Sequence, residues 1–365
     1  MKRPEIREKR WGICPAFFFV VTSGITVPAT GYELFGGVDT QWVSEPEPIK
    51  TTLKDWGEGF DSGHRQWVVA RAEAGVRINN LEVSVFSRAL ADLRMNSDAV
   101  EFYGRIARKE ELLPGEQVPV SLDANGFIGN GLRIGYNHKV HNWTISGGAS
   151  LFKTRYLLSG QLDGNFTALA DNDYNFEADV DYVYYRDMIF DRPDIQAADG
   201  IGWSFDLSGV WEASEHWSLG FSAEDLFARI RWKDAPFTVA KANTDNKSYD
   251  EDGYAVFAPT ISGREGYRDS FFQELDARYK VSVDYHSDSP WSALLRGQYQ
   301  FGYGFLGGGM GYRYSENTKI SVLYWPKLEA LGLEFRHLRW SAALSADQLE
   351  WGEIKAIGLT LSYGY

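Results

Sequence analysis

The sequence contains almost no cysteine and no second long apolar run, and each absence excludes a class of protein. Cys14 is the only cysteine among 365 residues. Zinc sites built on cysteine and thiol catalysis are therefore excluded for the rest of the chain, which uses no disulfide. Beyond residue 30 no uninterrupted apolar stretch reaches the roughly 18 residues of a membrane helix, so a helical span is excluded too.

The amino-terminal segment has the three parts of a secretory signal peptide. Its basic residues are Lys2, Arg3, Arg7, Lys9 and Arg10. An uncharged hydrophobic stretch follows and ends at Val27-Pro28-Ala29, whose small residues suit a signal peptidase. A membrane anchor is the alternative, but prolines and a glycine interrupt the run. We predict a cleaved signal peptide over 1–29, export of the chain, and a mature domain over 30–365.

Acidic side chains dominate the charge. The whole chain has 37 basic and 50 acidic residues, and the first 29 residues hold five and two of them. The predicted mature chain keeps 32 basic and 48 acidic residues, a net charge of −16. Binding to nucleic acid depends on neutralising phosphates with basic side chains. We therefore predict no nucleic-acid partner.

Hydrophobic and polar residues alternate through many segments, most clearly at the carboxyl terminus. One face of that segment carries Ile357, Leu359, Leu361, Tyr363 and Tyr365, and small or polar residues separate them. Such alternation over about ten residues is typical of a strand in a membrane barrel. The segment 352–365 resembles the terminal recognition strand of outer-membrane barrels, and that resemblance implies the barrel-assembly machinery as a partner.

Connections of two lengths separate the alternating segments. Short polar connections are predicted at Asn79-Asn80, 138–141, 170–173, 213–216, 287–290 and 315–317, and long ones at 44–64, 92–126, 187–200 and 233–269. Outer-membrane barrels have short periplasmic turns and long extracellular loops. We predict an all-β fold, a transmembrane antiparallel up-and-down β-barrel of about 16 strands (range 12–16). Within 92–126, Ala99 to Ile106 alternates briefly and is interpreted as a hairpin or an inward constriction.

Aromatic residues make up 15% of the chain, and many lie near the ends of the predicted strands. They include Trp143, Trp217, Trp232, Tyr285, Trp291, Tyr299, Phe301, Tyr312, Tyr324, Trp340 and Tyr363. Rings at these positions favour two interfacial girdles, although aromatic residues are also common in ordinary strands. We predict a cell outer membrane location, with the lipid bilayer as a partner.

The polar face of the predicted strands carries charges of both signs. The candidate lumen-lining residues are Arg71, Glu73, Arg77, Arg133, Glu177, Asp179, Asp181, Arg278, Lys280, Asp284 and Arg296. Two interpretations remain open. The charges either line a path that selects solutes, or they pair across strands and solubilise the lumen.

Little in the sequence indicates catalysis, a cofactor or a metal. Asp61 and Ser62-Gly63-His64 hold serine, histidine and aspartate close together in sequence, which does not establish a catalytic geometry. The acidic loop 245–253 offers oxygen atoms to Ca²⁺ but lacks the spacing of an EF-hand. We predict no enzymatic activity, no cofactor and no metal site.

The mature chain resembles outer-membrane transport barrels throughout its length. The segments 207–211 and 217–222, joined by a short polar turn, look like hairpins of the fatty-acid transporter and its relatives with long strands. That family's amino-terminal hatch with an Asn-Pro-Ala motif has no counterpart here, and neither has the constriction loop of trimeric porins. The resemblance implies a channel or transporter for small polar or amphipathic solutes. A structural or interaction barrel, such as an adhesin or a component of envelope machinery acting through long acidic loops, is the alternative.

Overall fold

The computed structural model describes residues 31–364 except 53–61, 171–172, 188, 190–191, 245–246, 250–254 and 258–259. The predicted signal peptide, most of the acidic loop 245–253 and Tyr365 lie outside the described residues. No helix in the described part is long and apolar enough to cross a membrane.

Antiparallel strands account for most of the described residues. They are β1 (Tyr32–Ser44), β2 (Arg65–Ile78), β3 (Leu81–Met95), β4 (Gln117–Val140), β5 (Trp143–Ala168), β6 (Tyr174–Tyr184), β7 (Asp199–Glu212), β8 (Trp217–Asn243), β9 (Lys247–Tyr249), β10 (Ala255–Phe257), β11 (Thr260–Glu274), β12 (Arg278–His286), β13 (Trp291–Gln300), β14 (Tyr303–Ser315), β15 (Thr318–Trp325), β16 (Ala330–His337), β17 (Trp340–Ala346) and β18 (Ala356–Tyr363). The helices are α1 (Ile49–Thr52), α2 (Ser97–Ala107) and a 3₁₀ turn, Pro326–Leu328.

Fourteen of these strands close into a barrel. The order around the wall is β1-β2-β3-β4-β5-β7-β8-β12-β13-β14-β15-β16-β17-β18, and β18 returns to β1. The closing register runs from Gly36 opposite Tyr363 to Val43 opposite Ala356. Closure pairs the backbone groups that an open edge would leave unsatisfied in hydrocarbon. The predicted antiparallel barrel is confirmed.

The other two strands of the 16-stranded sheet lie outside the closed wall. β5 and β8 are long, and their distal parts extend beyond the barrel. β6 pairs with the distal part of β5 over 158–168, and β11 pairs with β8 over 229–243. β6 also pairs with β8. The distal part of β4, residues 117–126, pairs with the other side of the distal part of β5. We call this five-stranded region (β6, β11 and the distal parts of β4, β5 and β8) the outer extension.

The connections divide by length between the two ends of the barrel. One end carries the tight turns at 79–80, 141–142, 213–216, 287–290, 316–317 and 338–339. We call it the short-turn end. The prediction that 170–173 belongs to it is wrong, because β5 runs unbroken through a bulge to Ala168 and carries the chain to the opposite end.

The segment around Ala99 forms a helix, so its interpretation as a hairpin or constriction is wrong. The buried residues Ala99 and Phe102 are three positions apart, which is the helical spacing of an apolar face. Phe102 stacks on Phe166 of β5 with ring centroids 5.1 Å apart. α2 therefore packs against the outer extension and not inside the barrel.

The outer surface of the wall is apolar, with aromatic rings near the short-turn end. Leu132, Ile134 and Tyr136 of β4 alternate with lumen-facing residues and are more than half exposed. Cross-strand aromatic pairs follow around the barrel: Trp143–Trp211, Trp217–Tyr285, Trp291–Tyr312 and Trp340–Tyr363. An apolar band bounded by rings is the surface of an outer-membrane-type barrel. Two predicted girdle residues, Trp232 and Phe301, are instead 0% and 2% exposed in the interior.

Candidate functional site in the barrel lumen

Charged side chains from many strands meet inside the barrel. We call this group the charged belt. Its members are Asp39, Arg71, Glu73, Arg88, Arg133, Asp206, Glu224, Asp225, Arg278 and Lys280. The strands that supply them alternate, so the polar face of each strand turns into the lumen while the apolar face turns outward.

The most buried part of the belt joins β3 to β8. Both terminal nitrogens of Arg88 donate to the carboxylate of Asp225 at 2.6 Å. Asp225 lies in the left-handed region at φ 61°, within an irregular stretch of β8. Next to it, Arg278 of β12 donates to Glu224. The irregularity turns two consecutive carboxylates into the lumen, where strict alternation would present only one.

Two further groups complete the belt. Lys280 Nζ donates to Asp39 at 3.0 Å, and that carboxylate also accepts the hydroxyl of Thr360 at 2.7 Å. On the strand next to Asp39, Arg71 lies 3.7 Å from Asp206, and Arg133 lies 3.3 Å from the same carboxylate. Each carboxylate of the belt therefore lies against at least one basic side chain.

Nearer the short-turn end, three predicted residues form their own ion pairs. Arg77 pairs with Glu82 of β3 through two nitrogens. Arg296 donates to Asp284 with both terminal nitrogens at 3.0 and 3.3 Å and lies 3.6 Å from Glu334. The structure thus places eight of the eleven candidates, Arg71, Glu73, Arg77, Arg133, Arg278, Lys280, Asp284 and Arg296, on the inner side of the closed barrel.

The other three candidates are elsewhere. Glu177, Asp179 and Asp181 lie on β6, outside the fourteen-stranded wall. Asp179 pairs with Lys241 of β8, and Asp181 accepts from Arg268 of β11 at 2.7 Å. This differs from the predicted placement, because β6 is a strand of the outer extension although its sequence alternates like a wall strand.

Four carboxylates of the belt were not among the eleven candidates. Asp39, Asp206 and Glu224 lie on alternating segments, so the alternation itself could have indicated them. Asp225 could not have been found that way, because its inward direction depends on the irregular backbone of β8.

A large apolar cluster fills the lumen beyond the charged belt, toward the long-loop end. Its bulky members are Trp67, Phe86, Leu90, Phe127, Phe152, Ile230, Trp232, Tyr303 and Phe305. The rings of Trp67 and Tyr303 lie 5.1 Å apart, and those of Phe127 and Phe152 5.9 Å apart. The belt and the cluster touch, because the Arg88 guanidinium lies 5.2 Å from the centre of the Phe127 ring. We call this group the lumen cluster.

A cavity of about 470 Å³ lies in the lumen beside the belt and the lumen cluster, and residues of β1, β2, β5, β7, β8 and β12 to β18 line it. Its polar wall includes Lys280, Arg296 and Gln298. Its apolar wall includes Phe305, Leu323 and Trp325. The cavity therefore offers cationic and amide groups to one end of a small molecule and apolar surface to the other.

The histidine near the outer side has no catalytic partner in the described residues. His64 Nδ1 lies 3.0 Å from Glu45, and Asp61 is outside the described range. No group of three histidine, cysteine, aspartate or glutamate side chains there has a geometry that would hold a metal ion. The absence of enzymatic activity and of a cofactor stays a prediction.

Solved structures of outer-membrane proteins have low similarity to this chain. The toluene transporter TodX of P. putida is 11% identical, with 92% of this chain and 90% of that chain covered and a TM-score of 0.39. The Ralstonia pickettii toluene transporter TbuX is 9% identical, with 92% and 89% covered and a TM-score of 0.23.

Sequence comparison is more specific. No curated protein matches the chain. A family described as a family of unknown function (DUF5723) matches residues 122–361, which is more than half of the chain and covers most of the barrel wall. The chain therefore belongs to the DUF5723 family.

Proposed function

We propose that this protein is an outer-membrane barrel that passes small amphipathic solutes through its lumen, without catalysing a reaction. The observation that carries the proposal is the cavity of about 470 Å³ beside the charged belt and the lumen cluster. Its size suits a small organic molecule, and a wall that combines charged and polar groups with apolar side chains can orient such a molecule.

The charged and amide groups that line the cavity limit the class of solute that it can bind. Lys280 and Arg296 line the cavity together with Asp39 and Glu334, and the amide of Gln298 donates to Gln41 beside them. A solute with an apolar body and a polar or anionic head would place its body against Phe305. Its head would replace some of the contacts that these charged and amide groups make with one another. We therefore propose small amphipathic solutes in preference to sugars or large hydrocarbons.

Passage through the barrel requires movement in the lumen cluster. Trp67 and Trp232 are 1% and 0% exposed and fill the lumen beyond the cavity. A solute would have to displace rings there, whereas inorganic ions gain nothing from apolar contacts. We expect low ion conductance in planar bilayers and measurable uptake of small aromatic carboxylates by proteoliposomes.

Filling the cavity tests the proposal. Leu323 is 2% exposed and faces the cavity, so Leu323→Trp should lower benzoate uptake by about tenfold. Leu331→Trp is the matched control, because Leu331 lies on the neighbouring strand β16, faces outward at 63% exposure and is not among the residues that line the cavity. Equal uptake in both variants, or no uptake by the unaltered protein, would contradict the proposal.

A second candidate is an interaction barrel that acts through the outer extension. The observation favouring it is the exposed row Glu177, Asp179 and Asp181 on β6. The triple variant Glu177→Gln, Asp179→Asn, Asp181→Asn keeps the shape and removes three charges. Lost attachment of cells carrying this variant, together with no uptake of any solute by the unaltered protein, would favour the second candidate.

A further inference from the structure

Three basic side chains stand next to one another inside the short-turn end of the barrel. Arg313 of β14 is directly opposite Lys319 of β15, and Lys319 is directly opposite Arg336 of β16. Their outward neighbours Tyr312, Ile320 and Phe335 are exposed on the apolar surface, so alternation turns all three basic residues into the lumen. We call them the basic arc.

Such an arrangement is unfavourable by itself. Like charges directly opposite on paired strands destabilise a sheet. Elsewhere in the lumen the structure avoids this by pairing, as for Arg88 with Asp225. Within the described residues, neither Arg313 nor Arg336 has a carboxylate within 4.0 Å, and Lys319 has only Asp284 at 3.9 Å, which already accepts from Arg296.

The local balance of charge is opposite in sign to that of the chain. On strands β13 to β16 the lumen-facing charged residues are Arg296, Arg313, Lys319, Arg336 and Glu334. Four cations thus face one carboxylate on these strands, with Asp284 of β12 beside them. A chain with a formal net charge of −13 concentrates positive charge at this one arc of the lumen.

A buried donor beside the arc points to a ligand. Ser292 is 7% exposed, and its hydroxyl has no hydrogen-bond partner in the described residues. It faces Gly311, where a side-chain carbon would come within 2.6 Å of both Ser292 Oγ and Lys319 Cε and within 2.8 Å of Ser321 Oγ. Glycine at this position therefore lets the stem of Lys319 and the hydroxyl groups of Ser292 and Ser321 come close together beside the arc.

From these observations we propose that the basic arc, with Ser292 and Ser321, binds a phosphate-type oxyanion at the short-turn mouth of the lumen. Guanidinium and ammonium groups with hydroxyl donors are the groups that recognise phosphate oxygens. The anion is either a free phosphate or phosphorylated solute, or the headgroup of an anionic lipid reaching the rim. The site does not depend on transport, since it requires only access from the short-turn end.

The test compares anion binding by the folded full-length barrel and two triple variants. Arg313→Gln, Lys319→Gln, Arg336→Gln removes the arc. The control is the triple variant Lys153→Gln, Arg229→Gln, Lys241→Gln. It also removes three positive charges, but from exposed residues that pair with Asp199, Glu274 and Asp179. Inorganic phosphate is titrated in detergent at constant ionic strength against chloride, and binding is followed by the rise in Tm and by ³¹P line width.

We expect phosphate to raise the Tm of the unaltered barrel and of the control, and to bind the arc variant at least tenfold more weakly. Without phosphate, the arc variant should be the more heat-stable one, since repulsion has been removed. In a second arm, nanodiscs of phosphatidylglycerol replace phosphatidylcholine. If phosphatidylglycerol, and not free phosphate, stabilises the unaltered barrel but not the arc variant, that result supports the site and identifies a lipid headgroup as its ligand.

The proposal is overturned if neither phosphate nor phosphatidylglycerol distinguishes the arc variant from the control. Should the triple variant not fold, Arg336→Gln alone serves, with a several-fold loss expected, and Lys319→Arg should retain binding. Failure of benzoate uptake would leave this result intact, so the two proposals fail separately.

Discussion

Arg88 and Asp225 are 137 positions apart in the sequence and form a doubly hydrogen-bonded ion pair across the barrel lumen, with both nitrogen–oxygen distances at 2.6 Å. Each residue is at most 3% exposed. The pair fixes the irregular stretch of β8 against β3, so the packing of the lumen depends on a contact between distant parts of the chain.

Removing one partner of this pair should destabilise the barrel strongly. Arg88→Met removes both hydrogen bonds to the buried Asp225 carboxylate and leaves it only Arg278 Nε, 4.0 Å away. Breaking a buried ion pair typically costs about 3–5 kcal/mol. The double variant Arg88→Met, Asp225→Asn should recover much of that loss. Urea unfolding in detergent, followed by tryptophan fluorescence, measures both effects.

The same substitution at an exposed position provides the control. Arg229 of β8 pairs with Glu274, and the two side chains are 44% and 72% exposed. Arg229→Met should therefore cost less than about 1 kcal/mol. Equal losses for Arg88→Met and Arg229→Met would show that the lumen pair has no special role.

Gln273 connects β11 to β4 and β5. Its amide nitrogen donates to the carbonyl oxygens of Gly126 and Leu158 at 3.1 and 3.2 Å, and its oxygen accepts from Trp232 Nε1 at 2.9 Å. Gln273→Leu should cost about 1–3 kcal/mol, because the buried indole N–H is left unsatisfied. The free energy of unfolding, measured for Gln273→Leu, Trp232→Phe and the double variant, should show coupling between the two sites; strictly additive effects would contradict it.

Trp143 and Trp211 stack across β5 and β7 with ring centroids 5.2 Å apart and planes 4° from parallel. The pair lies on the outward face near the short-turn end. Trp143→Ala should reduce stability in bilayers by more than in detergent. The variant loses the contact with Trp211 in both environments, but only in a bilayer does it also lose the interaction of the ring with the lipid headgroups. Quenching by lipids brominated near the headgroup should be strong for this pair; quenching only by lipids brominated at the bilayer centre would contradict a girdle position.

Tyr182 gives the outer extension a dependence on alkaline pH. Burial raises the pKa of Tyr182, and the hydrogen bond that its hydroxyl donates to Asp187 raises it further. A raised pKa means that the folded state prefers the protonated hydroxyl. Its stabilising contribution is therefore complete below the unfolded tyrosine pKa of about 10 and is lost as pH rises through the raised folded pKa.

Absorbance at 295 nm during an alkaline titration should show that Tyr182 is among the tyrosines that ionise last, together with unfolding of the outer extension. Tyr182→Phe should lower the late absorbance change by one tyrosine and reduce stability already at neutral pH. Tyr156→Phe is the control, since Tyr156 is 49% exposed. A late absorbance change of unaltered size in Tyr182→Phe would contradict the prediction.

Alternation predicted most of the wall because the physical cause is local. A strand such as β12 must turn Val281 and Tyr285 toward lipid and Lys280 and Asp284 toward the lumen, and consecutive residues point to opposite faces. Two-residue turns such as Asn79-Asn80 are local signals as well. Fold class, the short-turn end and eight candidate residues could therefore be read from neighbouring positions.

The alternation of apolar and polar residues in a strand does not predict which other strands pair with it. β6 alternates like the wall strands, yet it pairs with the distal part of β5 and with β8 above the barrel. For this reason Glu177, Asp179 and Asp181 were grouped with lumen residues that they do not meet. Sequence could not separate one long strand, β5, from two short ones, because the break depends on pairing partners.

The sequence by itself determined a two-faced antiparallel sheet with charges on one face, because side-chain direction in a strand depends only on position along the chain. Tertiary structure alone decided that fourteen strands close, that Arg88 meets Asp225, and that Arg313, Lys319 and Arg336 stand side by side without enough carboxylates. Those relationships depend on the register between strands, and register is set by hydrogen bonds between segments that the order of residues does not bring together.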